Sequence, residues 1–274
     1  MPMKFRATTR RNLERDKLVV GKEWGKVYGG YFSDEKAIAS FLDALKTQHW
    51  KLGKLPSTPK ILYLASGNGL LGEHVARHLE ESGFGQPQLT IADASNEHLK
   101  QNENPQTRKV LADALDLQLN EKFDLIIMRS SLDYQPTPAL QIQMLKRVAA
   151  HLKPGGIFIN QAASFETQEE RDLADAIYKT TPKIGDRHFQ WKGDLPELHE
   201  AAGLTAPQQI GEAPVLALTH EDHVARYGIT PKDVKRIQGL IREIPAENRK
   251  AIKTTKNGYE VDCRFPIYAA SRKR

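Results

Sequence analysis

Short apolar segments alternate with amphipathic segments along the middle of the chain. Strands are predicted for KILYLA (60–65), QLTIAD (88–93), KVLADA (109–114), FDLIIM (123–128) and the buried-looking GGIFINQAA (155–163). After the first of these, Leu71, Val75 and Leu79 recur at the spacing of one helix face. Another helix is predicted to begin at Thr137 and Pro138, an N-cap followed by proline at the first helical position. This alternation predicts a mostly parallel sheet with helices on both faces.

The pattern after about residue 164 is less regular. Helices are predicted at 170–179, at 195–203 after the cap Asp194, and after Thr230 and Pro231, where Val234, Ile237 and Ile241 share a face. VLALT at 215–219 predicts a strand, and the alternation in the final EVDCRFPIYAA predicts another. Because Pro266 cannot donate a hydrogen bond to a neighbouring strand, we expect a bulge or a sheet edge there.

The chain divides into an arm and a larger domain. We expect residues 1–57 to form an N-terminal arm with a cap helix that begins at Ser33. Residues 58–274 would form the main domain, with helical insertions around 164–195 and around 221–257. In the arm, EWGKVYGGYF at 23–32 alternates aromatic residues with glycines. It predicts either a mobile flap over a pocket or a plain loop that packs Trp24 and Tyr28 on the core.

Composition and charge limit the expected core size, cellular compartment and type of partner. The 274 residues, 39% of them hydrophobic, are enough for one sizeable core. Cys263 is the single cysteine, and no secretion signal or apolar run of about 18 residues is visible, so we expect a soluble cytoplasmic protein. Much of the net charge of +6 comes from basic residues near the two ends. These indicate either an anionic partner or solvated chain ends.

The candidate chemistry begins at a glycine-rich turn. Gly67, Gly69 and Gly72 form G-x-G-x-x-G between a predicted strand and a predicted helix. Such a turn brings backbone close to a ligand and presents free N–H groups at the helix start. In NAD-binding domains an acidic residue about 20 positions later binds the ribose, and Asp93 stands at about that distance. The turn alone therefore indicates an adenosine-containing cofactor, but it does not distinguish NAD from other cofactors of this kind.

Five successive segments carry a more specific signal. YLASGNGLLG, IADAS, VLADALDL, KFDLIIMRSSLDY and LKRVAAHLKPGGIFI resemble, in order and spacing, the class I S-adenosylmethionine-dependent methyltransferases over roughly residues 58–163. The resemblance implies an α/β fold, a three-layer Rossmann-like seven-stranded sheet, mostly parallel with an antiparallel C-terminal strand. It implies S-adenosylmethionine as the cofactor.

The resemblance also implies roles for particular residues. The glycine turn would pass under the methionine and ribose of the cofactor, and Asp93 would accept hydrogen bonds from the ribose hydroxyls. Asp113 would accept from the adenine amine, and Ala114 N–H would donate to a ring nitrogen. Ser131 and Asp133 would face the methyl donor and the substrate. The implied cofactor-binding residues are Ala65, Ser66, Gly67, Asn68, Gly69, Asp93, Ala94, Asp113, Ala114, Arg129 and Ser130.

Ala65 departs from the family pattern, because members usually carry Asp or Glu two residues before the first glycine. That acid orients the turn and interacts with the cofactor's amino group, which Ala65 cannot do. Three interpretations stay open. Another carboxylate such as Asp133 substitutes, backbone carbonyls near Arg129 suffice, or cofactor binding is weak or lost.

The acceptor side is less defined. Catalytic candidates are His220, His223, Asp133 and Tyr134, and candidates for the substrate pocket or lid are Trp24, Tyr28, Tyr31 and His188. RSSLDYQP replaces the Asn/Asp-Pro-Pro-aromatic motif of amino-methyltransferases that act on bases, and no cysteine pair or RNA-binding module is present.

These observations favour methyl transfer to a small molecule rather than to nucleic acid. An anionic acceptor would agree with the positive net charge of the chain. No membrane partner and no metal site are expected. The alternatives are a catalytically inactive methyltransferase-fold scaffold protein and an NAD-linked oxidoreductase.

Overall fold

A single mixed sheet organises the part of the chain that this computed structural model describes, residues 6–7, 9–10, 30–47, 55–180 and 187–273. Its strands are β1 (Lys60–Leu64), β2 (Gln88–Asp93), β3 (Arg108–Leu111), β4 (Phe123–Arg129), β5 (Leu152–Gln161), β6 (Ser164–Phe165), β7 (Gln190–Trp191), β8 (Gln208–Thr219), β9 (Ile252–Thr254) and β10 (Tyr259–Ser271). The helices are α1 (Glu35–Lys46), α2 (Leu70–Glu81), α3 (Asn96–Lys100), α4 (Pro138–His151), α5 (Gln168–Lys179), α6 (Leu195–Ala201), α7 (His220–Tyr227) and α8 (Pro231–Glu243).

The strand order confirms the predicted sheet. The order is β3-β2-β1-β4-β5-β10, and β8 pairs with β10. Strands β1 to β5 pair in parallel, whereas β10 is antiparallel to both β5 and β8. These seven strands form the predicted mostly parallel sheet, in which the last strand, β10, is antiparallel and lies between β5 and β8. The short strands β6, β7 and β9 add to it.

Alternating side chains of the strands build a core on each face of the sheet. On one face Ile61 and Tyr63 of β1 pack with the apolar sides of α1 and α2. On the other face Leu62 and Leu64 pack with α4 and α6. Successive residues of a strand point to opposite faces, so a strand covered on both faces is continuously apolar. This explains why the strand predictions are confirmed for β1, β2, β4 and β5. The predicted strand at 109–114 is shorter and less buried, because β3 ends at Leu111 and lies at the edge of the sheet.

A third apolar cluster lies where the less regular half of the chain covers the end of β10. It joins the inner faces of α5 and α8 with the strands β8, β9 and β10. The predicted face of α8 is confirmed, because Val234, Ile237 and Ile241 are all buried. Helices therefore occur in both regions predicted as insertions, and the exact domain boundaries stay a prediction.

Some local predictions need correction. Helix α1 is capped by the side chain of Asp34, which accepts hydrogen bonds from Lys36 and Ala37 N–H, and not by Ser33. Asp194 precedes α6 but makes no capping hydrogen bond, because its carboxylate pairs with Arg171 instead.

The expected irregularity at Pro266 is confirmed as a bulge rather than an edge. The register between β10 and β8 shifts on both sides of it.

Two predicted lid residues, Trp24 and Tyr28, lie outside the described residues. Among the described residues, no helix combines the length and the apolar character needed to cross a membrane.

Candidate active site

The candidate site lies at the point where the strand order reverses. The chain runs outward from β1 through β2 to β3 and returns to β4 on the other side of β1. Open α/β sheets bind ligands beyond the carboxyl ends of the strands at such a point. The residues Ala65 and Ser130, which directly follow β1 and β4, both have a φ of 51°. This conformation is uncommon for residues other than glycine and costs about 1–3 kcal/mol, and such strain often marks functional sites.

The glycine turn is fixed between β1 and α2. Gly67 and Gly69 have φ values of 58° and 82°, which glycine adopts without steric cost. The N–H of Gly67 donates to Asp93 Oδ2 at 2.8 Å, so the turn is tied to the end of β2. A Cβ atom on Gly69 would lie 2.9 Å from Ile91 Cδ1, so a side chain there would also be crowded.

Three neighbouring cavities open around these strand ends. The central cavity, of about 760 Å³, is lined by Thr9, Ala65, Gly67, Asp93, Ala94, Ser95, His98, Ala112, Asp113, Ala114, Arg129, Ser130, Ser131, Tyr134, Gln135 and Met144. The aromatic cavity, of about 430 Å³, is lined by Phe32, Ser130, Asp133, Tyr134, Ala163, Tyr178, Arg187, Phe189, Leu216, Leu218, Arg226, Cys263 and Phe265. The glycine-turn cavity, of about 380 Å³, is lined by Phe32, Ser33, Tyr63, Ala65, Ser66, Gly67, Asn68, Leu70, Arg129 and Ser130.

Two carboxylates stand in the central cavity. Asp93 accepts the N–H of Ser95 at 2.8 Å through Oδ1, in addition to the Gly67 bond. Asp113 accepts the N–H of Leu115 at 3.0 Å through Oδ1 and that of Arg6 at 3.1 Å through Oδ2. Each carboxylate oxygen has two lone pairs, so both side chains can accept further hydrogen bonds from a ligand.

A buried ion pair lies in the wall of the aromatic cavity. Arg187 is 7% exposed, and its Nη1 donates to Asp133 Oδ2 at 2.5 Å. Its guanidinium carbon lies 3.8 Å from the centroid of the Tyr134 ring and 5.3 Å from that of Tyr178. Burial alone would lower the pKa of Arg187, but the neighbouring Tyr134, Tyr227 and Asp133 raise it well above its usual value. Arg187 is therefore a fixed positive charge.

Several buried polar atoms around the three cavities lack a hydrogen-bond partner among the described residues. They include Asp133 Oδ1, Arg187 Nε, Arg129 Nη1 and the hydroxyls of Ser130 and Ser131. A buried polar group without a partner costs about 1–3 kcal/mol. All five side chains line at least one of the three cavities, so bound ligands can supply the partners.

Most of the predicted cofactor residues come together around the central and glycine-turn cavities. Of the catalytic candidates, Asp133 and Tyr134 line the aromatic cavity. His220 and His223 line none of the three. His220 is paired with Glu221 at 2.9 Å, and His223 is fully buried between the hydroxyls of Tyr178 and Tyr259.

The two described lid candidates lie near the cavities without lining them. The ring of His188 is held between Asp175 and Arg171. The hydroxyl of Tyr31 donates to the carbonyl of Pro214 at 2.6 Å.

Four lining residues of the aromatic cavity carry no sequence signal that would mark them. They are Phe32, Tyr178, Arg187 and Arg226. They come from four separate parts of the chain and fit no spacing motif. The sequence marks only their regions: Tyr178 and Arg187 lie in the insertion predicted around 164–195, Arg226 lies in the one around 221–257, and Phe32 ends the segment 23–32 that predicts a flap or a loop.

Comparison with known proteins identifies the family to which the chain belongs. A family model described as a methyltransferase domain matches residues 61–156. A ubiquinone biosynthesis O-methyltransferase of Pseudomonas fluorescens is 30% identical over 195 residues, which cover 67% of this chain and 78% of that protein. The chain belongs to the class I S-adenosylmethionine-dependent methyltransferases.

Solved structures agree with the fold of this methyltransferase. The YcgJ protein of Bacillus subtilis aligns with a TM-score of 0.64 at 15% identity, over 83% of this chain and 100% of that one. An S-adenosylmethionine-dependent methyltransferase of Clostridium acetobutylicum aligns with a TM-score of 0.52 at 16% identity, over 98% and 100% of the two chains. S-adenosylmethionine is the cofactor, and family membership excludes the NAD-linked alternative.

Proposed function

We propose that this methyltransferase transfers a methyl group to an anionic small molecule bound in the aromatic cavity. One observation carries the proposal. The aromatic cavity meets the central cavity at Ser130 and Tyr134, which line both. A molecule in the one cavity would therefore lie next to a cofactor in the other, and proximity is the main contribution that a protein makes to such a transfer.

The residues of the central cavity fit S-adenosylmethionine. Asp93 would accept hydrogen bonds from the two ribose hydroxyls and Asp113 would accept from the adenine amine. Small apolar side chains, among them Ala94 and Ala114, give the base an apolar wall. Bound S-adenosylmethionine supplies an activated methyl group on a sulfonium. The amino-acid tail would lie in the glycine-turn cavity, because Gly67 lines both of these cavities.

In the aromatic cavity the protein would bind and orient the acceptor. Asp133 Oδ1 is buried and has no partner in the described part of the chain, so it can accept a hydrogen bond from a hydroxyl or amine of the acceptor. The bond from Arg187 holds the other oxygen of the same carboxylate in place. We propose Asp133 as the residue that positions the acceptor atom and receives its proton, in preference to His220 and His223.

Two features support an anionic acceptor with a hydroxyl group. Among the described lining residues of the aromatic cavity, Arg187 and Arg226 outnumber the single carboxylate of Asp133. Arg187 Nε has no hydrogen-bond partner among the described residues, so this cationic side chain can donate to an anionic acceptor in the cavity. The relative from Pseudomonas fluorescens is named an O-methyltransferase, which favours oxygen as the atom that receives the methyl group.

We propose that the N-terminal arm covers both ligands. Arg6 donates its backbone N–H to Asp113 and Thr9 lines the central cavity, while Phe32 lines the other two cavities. A cover of this kind would exclude water from the site during transfer.

The proposal is tested with S-adenosylmethionine that carries a labelled methyl group. The purified enzyme is incubated with three substrate pools: hydroxylated aromatic acids with their neutral amide counterparts, total RNA, and total protein. We expect label in the small molecules, with the acids preferred to the amides. Label that appears only in RNA or protein would contradict the small-molecule acceptor, and a preference for the amides would contradict its anionic character.

A further inference from the structure

Arg129 is a buried cation that pairs with no carboxylate in the described part of the chain. It ends β4, is 8% exposed, and donates from Nη2 to the carbonyl of Phe32 at 2.7 Å. Its side chain also lies near the neutral hydroxyl of Tyr63. Among the described residues, Nη1 has no hydrogen-bond partner and no ion pair includes Arg129. Removing a charge from water costs several kcal/mol unless an opposite charge compensates for it. A bound anion would supply that compensation.

The cavity next to Arg129 carries a positive charge, whereas the family pattern provides a negative charge there. Arg129 lines the glycine-turn cavity, and among its described lining residues it alone is charged. Ala65 lines the same cavity at the position where family members usually carry an acid. Asp133, the candidate replacement for that acid, lines the aromatic cavity instead and pairs with Arg187. A positive charge therefore faces the place expected for the amino-acid tail.

We propose that Arg129 binds the carboxylate of the cofactor's amino-acid tail, so that this enzyme recognises the negative end of the tail in place of the positive end. Guanidinium and carboxylate form strong, geometrically matched hydrogen bonds. The proposal rests on placing the tail in the glycine-turn cavity, and it does not depend on the identity of the acceptor. A failed search for an acceptor would therefore leave it untouched.

The first test uses the unaltered protein and isothermal titration calorimetry. The ligands are S-adenosylhomocysteine, its analogue without the carboxylate, and its analogue without the amino group. We expect loss of the carboxylate to weaken binding about 10- to 100-fold, as is typical for hydrogen bonds to charged groups. Loss of the amino group should weaken it less. Equal affinities with and without the carboxylate would overturn the proposal. The anion that compensates the charge of Arg129 would then be part of the acceptor.

The second test changes the arginine. Arg129→Gln should weaken S-adenosylhomocysteine about 10- to 100-fold and leave the affinity of the analogue without the carboxylate nearly unchanged. Arg249→Gln is the matched control, because Arg249 also donates to backbone carbonyls but lines none of the three cavities. Equal weakening of both ligands by Arg129→Gln would show a structural role only. If Arg129→Gln does not fold, the ligand series on the unaltered protein still decides.

The third test restores the acid of the family. Ala65→Asp should weaken S-adenosylhomocysteine, because the new carboxylate would pair with Arg129 and compete with that of the ligand. Ala65→Asn is the control of equal shape, and both replacements tolerate the left-handed backbone at this position. Tighter binding by Ala65→Asp than by Ala65→Asn would overturn the proposal.

Discussion

His223 is expected to act as a neutral core residue whose removal makes the protein less sensitive to acid. Its side chain is fully buried, with Nδ1 2.7 Å from the hydroxyl of Tyr259 and Nε2 3.4 Å from that of Tyr178. Burial, above all, lowers its pKa from 6.5 to about 4, with Arg226 and Arg187 acting in the same direction and Asp222 opposing them. The ring is enclosed in the core and lines none of the three cavities, so it cannot reach a bound substrate and does not suit the role of a general base.

The size of the effect follows from the two pKa values. Above pH 6.5 the histidine is neutral in both the folded and the unfolded protein, so its full contribution to stability is present. As the pH falls from 6.5 towards 4, only the unfolded protein binds the proton, and the free energy of unfolding falls by about 1.4 kcal/mol per pH unit. Over the whole shift of His223 this amounts to about 3 kcal/mol.

Urea unfolding followed by circular dichroism between pH 5 and pH 6.5 measures this slope. His223→Gln should lower the slope by about one proton relative to the unaltered protein, whatever its effect on stability at pH 7. His199, whose pKa burial lowers to about 4, is a parallel case, so His199→Gln should lower the slope by a similar amount. An unchanged slope in His223→Gln would refute the assignment of a neutral, buried histidine.

Three further predictions concern the two ligands and the glycine turn. Asp93→Ala should weaken S-adenosylhomocysteine by about 1–3 kcal/mol in calorimetry, and an unchanged affinity would refute its ribose role. Asp133→Asn should lower kcat strongly while the Kd of S-adenosylhomocysteine stays the same; a change confined to that Kd would refute its place at the acceptor. Gly69→Ala should cost about 1–3 kcal/mol of stability, since φ is 82° and Ile91 is close. The control Gly239→Ala, in the open middle of a helix, should stabilise by about 0.5–1 kcal/mol, and equal effects of the two would refute the argument.

The cofactor side of the site could be predicted because its residues follow strand ends in sequence order. The G-x-G-x-x-G turn, Asp93 and Asp113 each come directly after an apolar run, and parallel strands bring such positions to one edge of the sheet. Local sequence therefore determines both the strands and the residues that line the central cavity, where we propose the cofactor binds.

The acceptor side could not be predicted in the same way. LTHEDH follows a predicted strand end, which made His220 and His223 candidates. The ring of His223 turns into the core because Tyr178 and Tyr259, 45 and 36 residues away, provide its polar partners. Arg187 reaches its place through Asp133, 54 residues away. Contacts of this kind depend on tertiary packing, and no local pattern records them.

Ala65 and Arg129 are best understood together. Loss of the family's acid alone would leave the ammonium of the cofactor without a partner, and nothing in such a loss requires a buried cation nearby. Here the cation, Arg129, is present and lines the same cavity as Ala65, and its Nη1 has no hydrogen-bond partner among the described residues. An unpaired buried charge is costly to maintain unless a ligand compensates for it. The combination of Ala65 and Arg129 therefore favours recognition of the cofactor's carboxylate in place of its ammonium group, rather than a simple loss of cofactor binding.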